Sequence, residues 1–417
     1  MPYRARESHV AAALDRVKKS TYIPGLALPG PVSERLCSGL QIHVGRFDSA
    51  PDLQRAHRCA EREPVVKALQ ITEYGAPLTY RDVPRPVPTG SQVLVRVTHC
   101  GMCHSDVHLH TGSFNIGGGQ SQSIARNHTL PFTMGHEIEG VVAETGPEAE
   151  LPLGVAPGTR CAIYPWIGCG KCAACLRGEE QLCDAPAALG VQTPGGYADF
   201  VLIPHGRYLL PAEGLAPGHA GLLMCSGLTA YGAVLRMHLN GPADPWLLIG
   251  AGGLGLTALS LARGMGLAPP HVADSGEAAR ATALAQGAAA AFEPTAEALN
   301  AVRPSVGGGF AGAIDFVGTE VTTALAIGAV RRGAAVIVIG LYGGLLTIPL
   351  MQFPLRQLRL EGSFTGTLPQ ARDLLDLVRR AGIPPIPVRH CPLAEGDAAL
   401  GDLRERRVVG RVVLDVG

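Results

Sequence analysis

Short apolar segments separated by turns dominate residues 66–226 of the chain. The pattern begins abruptly at Val66, and glycine and proline residues interrupt it every few positions. Many short strands with such punctuation predict a barrel-like, all-β core. The clearest strand candidates lie at 92–97, 138–144, 160–164 and 198–203.

Residues 1–65 show a different pattern, with scattered charges, Pro-Gly turns and one helix-like patch at about 8–19. The apolar periodicity of the later segments is missing here, so we expect a poorly packed N-terminal extension. Its first residues mix charges without the apolar segment that a secretory signal needs.

From about residue 227 the pattern changes to strands that alternate with helices. One strand leads through the sequence Gly250-Ala-Gly-Gly-Leu-Gly255 into a helix rich in Ala and Leu, and the next strand ends at Asp274. This alternation predicts a doubly wound parallel sheet, the Rossmann architecture, over 227–360. The strand candidates are 245–249, 271–273, 312–317 and 334–340.

The glycine-rich turn predicts a dinucleotide site. Glycines allow a tight turn and a close approach of backbone to pyrophosphate, while the N terminus of the following helix directs N–H groups at the phosphates. Asp274 stands 24 positions after Gly250 (274 − 250), near the spacing at which an acid accepts hydrogen bonds from the adenosine ribose. Its carboxylate would repel a 2′-phosphate, so NAD is favoured over NADP. Gly252, Gly253 and Gly255 complete the predicted backbone contacts.

The tail over 361–417 returns to mixed character. A Leu-rich helix at 370–381 precedes the strand-like segment 407–414, which we expect to rejoin the first domain. The predicted organisation is therefore an extension at 1–65, a β domain at 66–226, a Rossmann domain at 227–360 and a return at 361–417.

Composition narrows the function classes. Of 417 residues, 17% are charged and 47% apolar, and Lys+Arg and Asp+Glu balance at 35 each, which argues against an extended nucleic-acid surface. The apolar runs all fall short of 18 residues, so we expect no membrane span. Eleven cysteines without a secretory signal predict a reducing compartment, the cytoplasm, where clustered cysteines favour metal over disulfides.

A run of four cysteines predicts a structural zinc site inside the β domain. Four thiolates on one short lobe can close a tetrahedron around zinc and leave no open position. A redox-active or incidental cluster is the alternative, but a CxxCxxC run closed by a fourth cysteine is a specific signal. The predicted ligands are Cys169, Cys172, Cys175 and Cys183.

The segment 98–108, Thr-His-Cys-Gly-Met-Cys-His-Ser-Asp-Val-His, is crowded with possible metal ligands, and Gly135-His136-Glu137 follows downstream. Three protein ligands and an open position would form a catalytic zinc site. Spacing alone does not decide whether Cys100 or Cys103 binds the metal.

These motifs, with Cys225-Ser-Gly-Leu-Thr-Ala-Tyr and the glycine turn, resemble the zinc-dependent alcohol dehydrogenases of the medium-chain dehydrogenase/reductase superfamily over about 66–417. The resemblance implies a GroES-like catalytic domain, a Rossmann domain and an active site in the cleft between them. It assigns the catalytic zinc to Cys103, His136 and Cys225, with Cys100 packing nearby. With the four-cysteine lobe, two zinc ions per chain and NAD are the expected cofactors.

The resemblance also implies roles for other residues. Glu137 lies near the metal and assists ligand exchange, Asp106 orients His136, and Ser105 and His108 form a proton relay to solvent. The zinc would lower the pKa of an alcohol hydroxyl, whose alkoxide then transfers hydride to nicotinamide. Further expected contacts are His104 and Arg411 with the pyrophosphate, Thr229 and Leu254 with the nicotinamide, and Phe114 and Trp166 as substrate-pocket walls, although core packing explains the two aromatics equally well.

Two departures from the family pattern stand out. A Gly-rich insertion at 115–128 lengthens the span from Cys103 to His136, and we expect it to border the pocket mouth or a subunit contact. The lysine that often precedes the position of Arg280 is absent, which bears on cofactor affinity more than on cofactor identity.

The predicted function is hydride transfer between a primary or secondary alcohol and NAD, giving an aldehyde or ketone. The same site could serve a physiological aldehyde reductase, because sequence does not set direction. A polyol dehydrogenase is less favoured, since those relatives often replace the third cysteine ligand, here Cys225, with Glu. A non-catalytic zinc module is the alternative from another class. The family's assembly implies a homodimer or homotetramer.

Overall fold

The structure is a computed structural model that describes residues 65–125 and 128–417. The predicted N-terminal extension and its helix-like patch lie outside the described residues, apart from Val65.

The turn-punctuated first half forms antiparallel β-structure around an apolar interior. A seven-stranded sheet has the order β10-β8-β7-β3-β18-β17, with β9 also pairing with β3, and a smaller sheet has the order β2-β1-β6. The strands of this half are β1 Val65–Ile71, β2 Thr79–Pro84, β3 Val93–Met102, β4 Ser113–Gly117, β5 Gln120–Ser123, β6 Phe132–Thr133, β7 Glu137–Thr145, β8 Arg160–Ile163, β9 Phe200–Ile203 and β10 Leu209–Pro211; two later strands, β17 Val388–Pro392 and β18 Arg411–Asp415, complete it.

Short helices stand at the ends of these strands and lead to the second half. The π-helical turn Leu223–Gly227 joins two of them without interruption. Their bounds are α1 His104–Thr111, α2 Ala173–Leu176, α3 His219–Leu222 and α4 Leu228–Arg236.

The second half is a six-stranded parallel sheet with the order β13-β12-β11-β14-β15-β16. The strand order reverses between β11 and β14, and ligands of open α/β sheets bind at the carboxyl ends of strands beside such a reversal. The elements are β11 Trp246–Ile249, α5 Gly253–Gly264, β12 His271–Ala273, α6 Glu277–Ala285, β13 Ala290–Phe292, α7 Ala296–Val302, β14 Phe310–Asp315, α8 Glu320–Ala329, β15 Val330–Val338, α9 Gln352–Arg356 and β16 Arg359–Gly362.

The C-terminal segment crosses back to the first half through α10 Leu368–Ala381 and α11 Gly396–Arg404. Strand β18 then pairs antiparallel with β3, Asp415 opposite His99 and Val412 opposite Met102. The final strand is therefore an interior strand of the first sheet, and it supports the end of β3 from which α1 begins.

The fold class that the sequence predicts, a GroES-like β domain with a Rossmann domain, is confirmed. Strand β3 runs five residues beyond its predicted end, because β18 provides a hydrogen-bonding partner for residues 99–102. Strand β15 begins four residues before its predicted start, although Arg331, Arg332 and Gly333 interrupt the apolar pattern there. The domain limits at 66–226, 227–360 and 361–417 stay predictions.

The Gly-rich insertion forms a hairpin of β4 and β5. Gly118 and Gly119 both have positive φ, 59° and 74°, the backbone that a two-residue turn requires. At Gly117 an added Cβ would lie 2.6 Å from the backbone of Gly344, and Asn115 Nδ2 donates to the Tyr342 carbonyl at 3.1 Å. The hairpin of the first domain thus lies directly on the loop after β15.

No helix within residues 65–125 and 128–417 is long and apolar enough to cross a membrane.

Burial of His219 on α3 predicts a pH dependence of stability. Burial lowers the pKa of His219 from 6.5 to about 4, and the residue is only 8% exposed. The unfolded chain therefore binds the proton more readily than the folded chain. The free energy of unfolding is then highest above about pH 6.5 and falls by at most about 3 kcal/mol as the pH decreases towards about 4. We expect the melting temperature of His219→Gln to fall less between pH 7.5 and 5 than that of the parent chain.

The matched control is His238→Asn. His238 is half exposed and has a positive φ of 52°, which Asn tolerates. Parallel melting curves of the parent chain and His219→Gln across this pH range would contradict the assignment.

Candidate active site and metal centres

Three segments that are distant in sequence bring four metal-binding side chains together. Cys103 begins α1 at the end of β3, His136 and Glu137 lie at the start of β7, and Cys225 lies in the π-helical turn. One ligand atom of each of these four residues lies within 4.8 Å of the others, and all four are buried. The cluster contains the three residues assigned to the catalytic zinc, together with the predicted neighbouring acid.

Glycine makes this convergence possible. A Cβ on Gly101 would lie 2.2 Å from Glu137 Oε2, and one on Gly135, whose φ is 93°, would lie 2.4 Å from the Tyr197 ring. A side chain at either position would displace the residues that surround the cluster.

The structure brings Cys103, and not Cys100, to this cluster. The Cys225 thiol donates to the Cys103 sulfur and, with His136, holds the pKa of Cys103 well below its ordinary value. Burial raises the pKa of Cys100 well above the ordinary value. Its sulfur lies against Gly135 and Gly196. Cys103 is thus the thiolate that a cation would meet, and Cys100 packs behind it.

Asp106 contacts two of the residues assigned to the metal, Cys103 and His136. Its Oδ2 accepts hydrogen bonds from the Cys103 backbone N–H at 2.8 Å and from the Tyr197 hydroxyl at 3.0 Å. Its Oδ1 lies 3.3 Å from His136 Nδ1. The carboxylate therefore orients the imidazole so that Nε2 faces the thiols.

His136 Nε2 provides a test of whether a cation fits. Both ring nitrogens are buried and, among the described residues, neither has a hydrogen-bond partner, although Nδ1 faces the Asp106 carboxylate at 3.3 Å. Leaving a buried polar atom unpaired costs about 1–3 kcal/mol, and coordination to a cation removes that cost. One imidazole and two thiolates are a ligand set that zinc accepts, so the residues present fit the metal.

Glu137 and Arg411 form a buried ion pair beside the cluster. Arg411 donates to Glu137 Oε2 and to the Met102 carbonyl, the latter at 3.0 Å. Burial raises the pKa of Glu137, and Arg411 opposes that shift. A Cβ on Gly253 would lie 2.4 Å from Arg411 Cδ. Arg411 therefore connects the glycine turn to the metal-binding cluster. The pairing of Arg411 with Glu137 has no local sequence signal, because the two residues are 274 positions apart.

The glycine turn has the geometry that close backbone approach requires. Gly250 has a φ of 93°, and a Cβ on Gly255 would lie 1.9 Å from the Gly250 carbonyl oxygen. Gly252 is the N-cap of α5, so the first N–H groups of the helix face the turn. Asp274 accepts from the backbone N–H of Ala251 and of Gly276, both at 2.7 Å. The predicted acid thus lies at the turn and orders it.

The four cysteines of the predicted lobe also converge. The sulfurs of Cys169, Cys172, Cys175 and Cys183 lie within 4.8 Å of one another. A hydrogen bond from the Cys175 backbone N–H is the largest of the interactions that lower the pKa of Cys172 to about 6. Desolvation and the neighbouring sulfurs raise the pKa of Cys175 to about 12. The sulfurs are too close for all four thiolates to form without a cation between them. Four sulfurs with no open position fit a structural zinc ion.

The predicted relay residues lie on α1, Ser105 in its first turn and His108 in its last turn. Ser105 Oγ is 3.7 Å from Cys103 Sγ, and the His108 ring packs against Phe114 of the hairpin with centroids 4.7 Å apart. Ser105 and His108 are both described, and no direct hydrogen bond joins them. Phe114 therefore borders the relay.

Trp166 lies at the metal-binding cluster. Its ring packs 5.7 Å from His136 and 5.4 Å from Phe364, and its Nε1 donates to the Met224 carbonyl at 2.9 Å. Phe364 was not predicted and gave no motif signal, since it belongs to the segment that returns to the first domain. The two aromatic rings form a wall beside the imidazole.

The remaining predicted cofactor contacts lie around the same cleft. His104 is exposed, and its Nε2 lies 3.2 Å from the Tyr342 hydroxyl on the loop after β15. Thr229 is buried on α4, and Leu254 is partly buried on the first turn of α5. Tyr342 was missed by the sequence analysis because it lies in a loop without a recognisable motif.

Comparison with known proteins places the chain in one family. The family model of the alcohol dehydrogenase GroES-like domain matches residues 89–214, and that of the zinc-binding dehydrogenases matches residues 253–380. The NAD-dependent alcohol dehydrogenase of Sulfurisphaera tokodaii is 33% identical over 356 residues, which cover 84% of this chain and 99% of that protein.

Solved structures agree with this relationship. The alcohol dehydrogenase of Aeropyrum pernix superposes with a TM-score of 0.74 at 28% identity, covering 84% of this chain and 99% of that one. Acetophenone reductase of Geotrichum candidum, solved in complex with NAD, gives 0.73 at 28% identity, covering 85% and 98%. The chain therefore belongs to the zinc-type alcohol dehydrogenases of the medium-chain dehydrogenase/reductase superfamily.

Proposed function

We propose that this enzyme transfers hydride between a primary or secondary alcohol and NAD, with one catalytic and one structural zinc ion per chain. The observation that carries the proposal is the buried group of Cys103, His136 and Cys225, whose free imidazole nitrogen faces the two sulfurs. Arg411 joins this group to the glycine turn, so an alcohol at the metal would lie beside a bound dinucleotide. Membership of an enzyme family removes the alternative of a non-catalytic zinc module.

Zinc bound by these three residues supplies a Lewis acid that lowers the pKa of an alcohol hydroxyl. The protein favours the thiolate of Cys103 and orients the ring of His136. Cys225 and His136 stabilise the Cys103 thiolate, and the Asp106 carboxylate, 3.3 Å from His136 Nδ1, orients the imidazole. Tyr197 and the Cys103 backbone hold the other oxygen of Asp106, so the carboxylate cannot rotate away.

The proton that the alcohol loses needs an acceptor near the ligands, and Ser105 and His108 are suitably placed. Burial lowers the pKa of His108, which keeps the imidazole neutral near pH 7 and able to accept a proton. Because the two side chains are not directly hydrogen-bonded, bound substrate or water has to connect them. His108 lies under Phe114, so the hairpin sets how far this route is open to solvent.

Glu137 provides a second carboxylate at the cluster without being a required ligand. Its Oε1 accepts from the Ser226 backbone N–H at 3.2 Å and its Oε2 pairs with Arg411. A small movement of Glu137 towards the metal would assist exchange of substrate and product. The same movement would release Arg411 towards a cofactor pyrophosphate, which accounts for both predicted roles.

The surroundings of His136 bear on the choice of substrate. Trp166 and Phe364 leave an apolar face beside His136, which suits an alcohol with a hydrocarbon substituent. The reverse reaction, aldehyde reduction, would use the same groups. We propose a homodimer or homotetramer, as in the family, and the nine free cysteines of the described residues support a reducing compartment such as the cytoplasm.

Replacing Cys103 tests the catalytic centre. Cys103→Ser removes a thiolate ligand, and we expect NADH formation from short, branched and aromatic alcohols to fall at least about a hundredfold, since metal catalysis is worth several kcal/mol. Zinc content after passage over a chelating resin should fall from two ions per chain to one. Retained turnover, or two tightly held zinc ions in the variant, would overturn the proposal.

Cys172→Ser is the contrasting variant. It should also lose one zinc ion, but it should lower the melting temperature while leaving turnover at low temperature, because structural zinc contributes folding free energy. Cys172→His keeps a set of three cysteines and one histidine, which zinc also accepts, and should recover part of the lost melting temperature. Turnover and melting temperature together therefore distinguish loss of the catalytic zinc from loss of the structural zinc.

Replacing Asp274 tests cofactor choice. Asp274→Ser removes the carboxylate that should bind the NAD ribose and repel a 2′-phosphate, so we expect the ratio of kcat/KM for NAD over NADP to fall at least about tenfold. The substitution also removes the hydrogen bond to the Ala251 N–H, but this loss should weaken the binding of NAD and NADP alike and so would not by itself change the ratio. Glu277→Gln, an exposed acid on α6, is the control that removes a nearby charge. An unaltered ratio in Asp274→Ser would exclude the proposed role.

A further inference from the structure

A third group of metal-binding side chains lies on the seven-stranded sheet, outside the two centres described above. It consists of His99 on β3, His390 on β17 and Asp415 on β18, with one ligand atom of each within 4.8 Å of the others. We propose that these residues form a third metal site that binds zinc or another divalent cation with an affinity for imidazole, such as copper or nickel. Its role is to cross-link the C-terminal strands to β3.

The register of the sheet places the three side chains on one face. His99 is directly opposite Asp415 in the antiparallel pair of β3 and β18. His390 is opposite Val413 in the parallel pair of β17 and β18. Side chains alternate between the faces of a strand, so Val413 and Asp415 point the same way and bring His390 to that face too. The cluster is therefore built into the strand pairing.

The distances suit a metal after only small side-chain movements. His390 Nδ1 lies 2.8 Å and His99 Nε2 3.8 Å from Asp415 Oδ1. Bonds of about 2.0–2.2 Å to a tetrahedral zinc ion place neighbouring ligand atoms about 3.3 Å apart, between these two values. Two imidazoles and a carboxylate are an established zinc ligand set and leave a fourth position for water. The side chains of His390 and Asp415 are 42% and 48% exposed, so a cation can enter from solvent.

A threonine hydroxyl bonds to His99 from behind, and a buried carboxylate lies on the same side of the ring. His99 Nδ1 lies 3.1 Å from Thr98 Oγ1 and 3.8 Å from Glu139 Oε1. Arg160 at 2.9 Å and the Ala220 backbone N–H at 3.0 Å fix Glu139. With Nδ1 held on this side, Nε2 is directed at Asp415. Metal-binding histidines commonly have such a partner on the nitrogen that does not bind the metal.

Gly218 closes the other side of the cluster. It has a φ of 74°, and a Cβ added to it would lie 3.1 Å from His390 Cε1 and 3.4 Å from His99 Cδ2. The loop before α3 therefore passes closely over both rings and limits their movement. Restrained rings lose less entropy when they bind a cation.

The consequence of binding follows from the position of β3. This strand pairs with β18 near His99 and ends at Met102, immediately before Cys103. A cation held by His99, His390 and Asp415 would fasten the last strand of the chain to the strand that delivers a ligand of the catalytic centre. The site is expected to act on stability, and it contacts none of the groups assigned to hydride transfer.

The test is a titration of the full-length enzyme that already holds its two tight zinc ions. Zinc is added at micromolar concentrations and followed by calorimetry, with melting temperatures measured in parallel. We expect one additional zinc ion per chain and a rise in the melting temperature. His390→Ala and Asp415→Asn should each weaken this additional binding at least about tenfold and abolish the rise. Loss of a residue that only supports a metal ligand already weakens metal binding by about 10–100-fold, and these two residues would be ligands themselves.

Two controls make the outcome decisive. His238→Asn removes a half-exposed histidine that has one acidic neighbour, Glu361 at 3.4 Å, and it should bind the additional zinc like the parent chain. Both cluster variants should retain the two tight ions and their NADH turnover, which shows that they are folded. Failure of the parent chain to bind a further ion, or equal binding by the parent and both variants, would overturn the proposal.

Discussion

The structure depends on the burial of two thiols and an imidazole around one point in a cleft. Cys103, His136 and Cys225 are brought together from three segments, and none of the three is more than 6% exposed. A buried thiolate and an imidazole nitrogen without a hydrogen-bond partner are costly unless a cation binds them. The surrounding residues make that arrangement possible. Glycines remove steric conflict, Asp106 orients the imidazole, and the π-helical turn carries Cys225 into the cluster.

A second constraint comes from the return of the chain to its first sheet. Strand β18 supports the end of β3 and also carries Arg411, which reaches Glu137 beside the metal-binding cluster and packs on Gly253 of the cofactor turn. Removing one partner of a buried ion pair costs about 3–5 kcal/mol, because the other charge is left without compensation. The C-terminal strand thus links three features: the sheet, the ligand cluster and the dinucleotide turn.

Sequence analysis predicts the parts of the site that have local spacing. The four-cysteine lobe lies within one short segment, and the glycine turn is read from a strand, a helix and an acid in the right order. The choice between Cys100 and Cys103 needed the family resemblance, because it depends on which sulfur the end of β3 directs to His136. The bond of Tyr197 to Asp106, the pair of Arg411 with Glu137 and the packing of Phe364 on Trp166 could not be predicted, since each joins residues far apart in sequence.

The groups of metal-binding residues differ mainly in burial and in the number of ligands, and these properties determine what each can do. The lobe offers four sulfurs and no open position, so it can only stabilise its own loop. The cluster at Cys103 is buried and lies against the ring of Trp166, so a metal held there by Cys103, His136 and Cys225 would have its fourth position shielded from bulk solvent. A metal held by His99, His390 and Asp415 would also have an open position, but the side chains of His390 and Asp415 are nearly half exposed, so water would compete with any reactant there and screen charge. The same donor atoms therefore suit catalysis only where the fold excludes solvent and places a cofactor alongside.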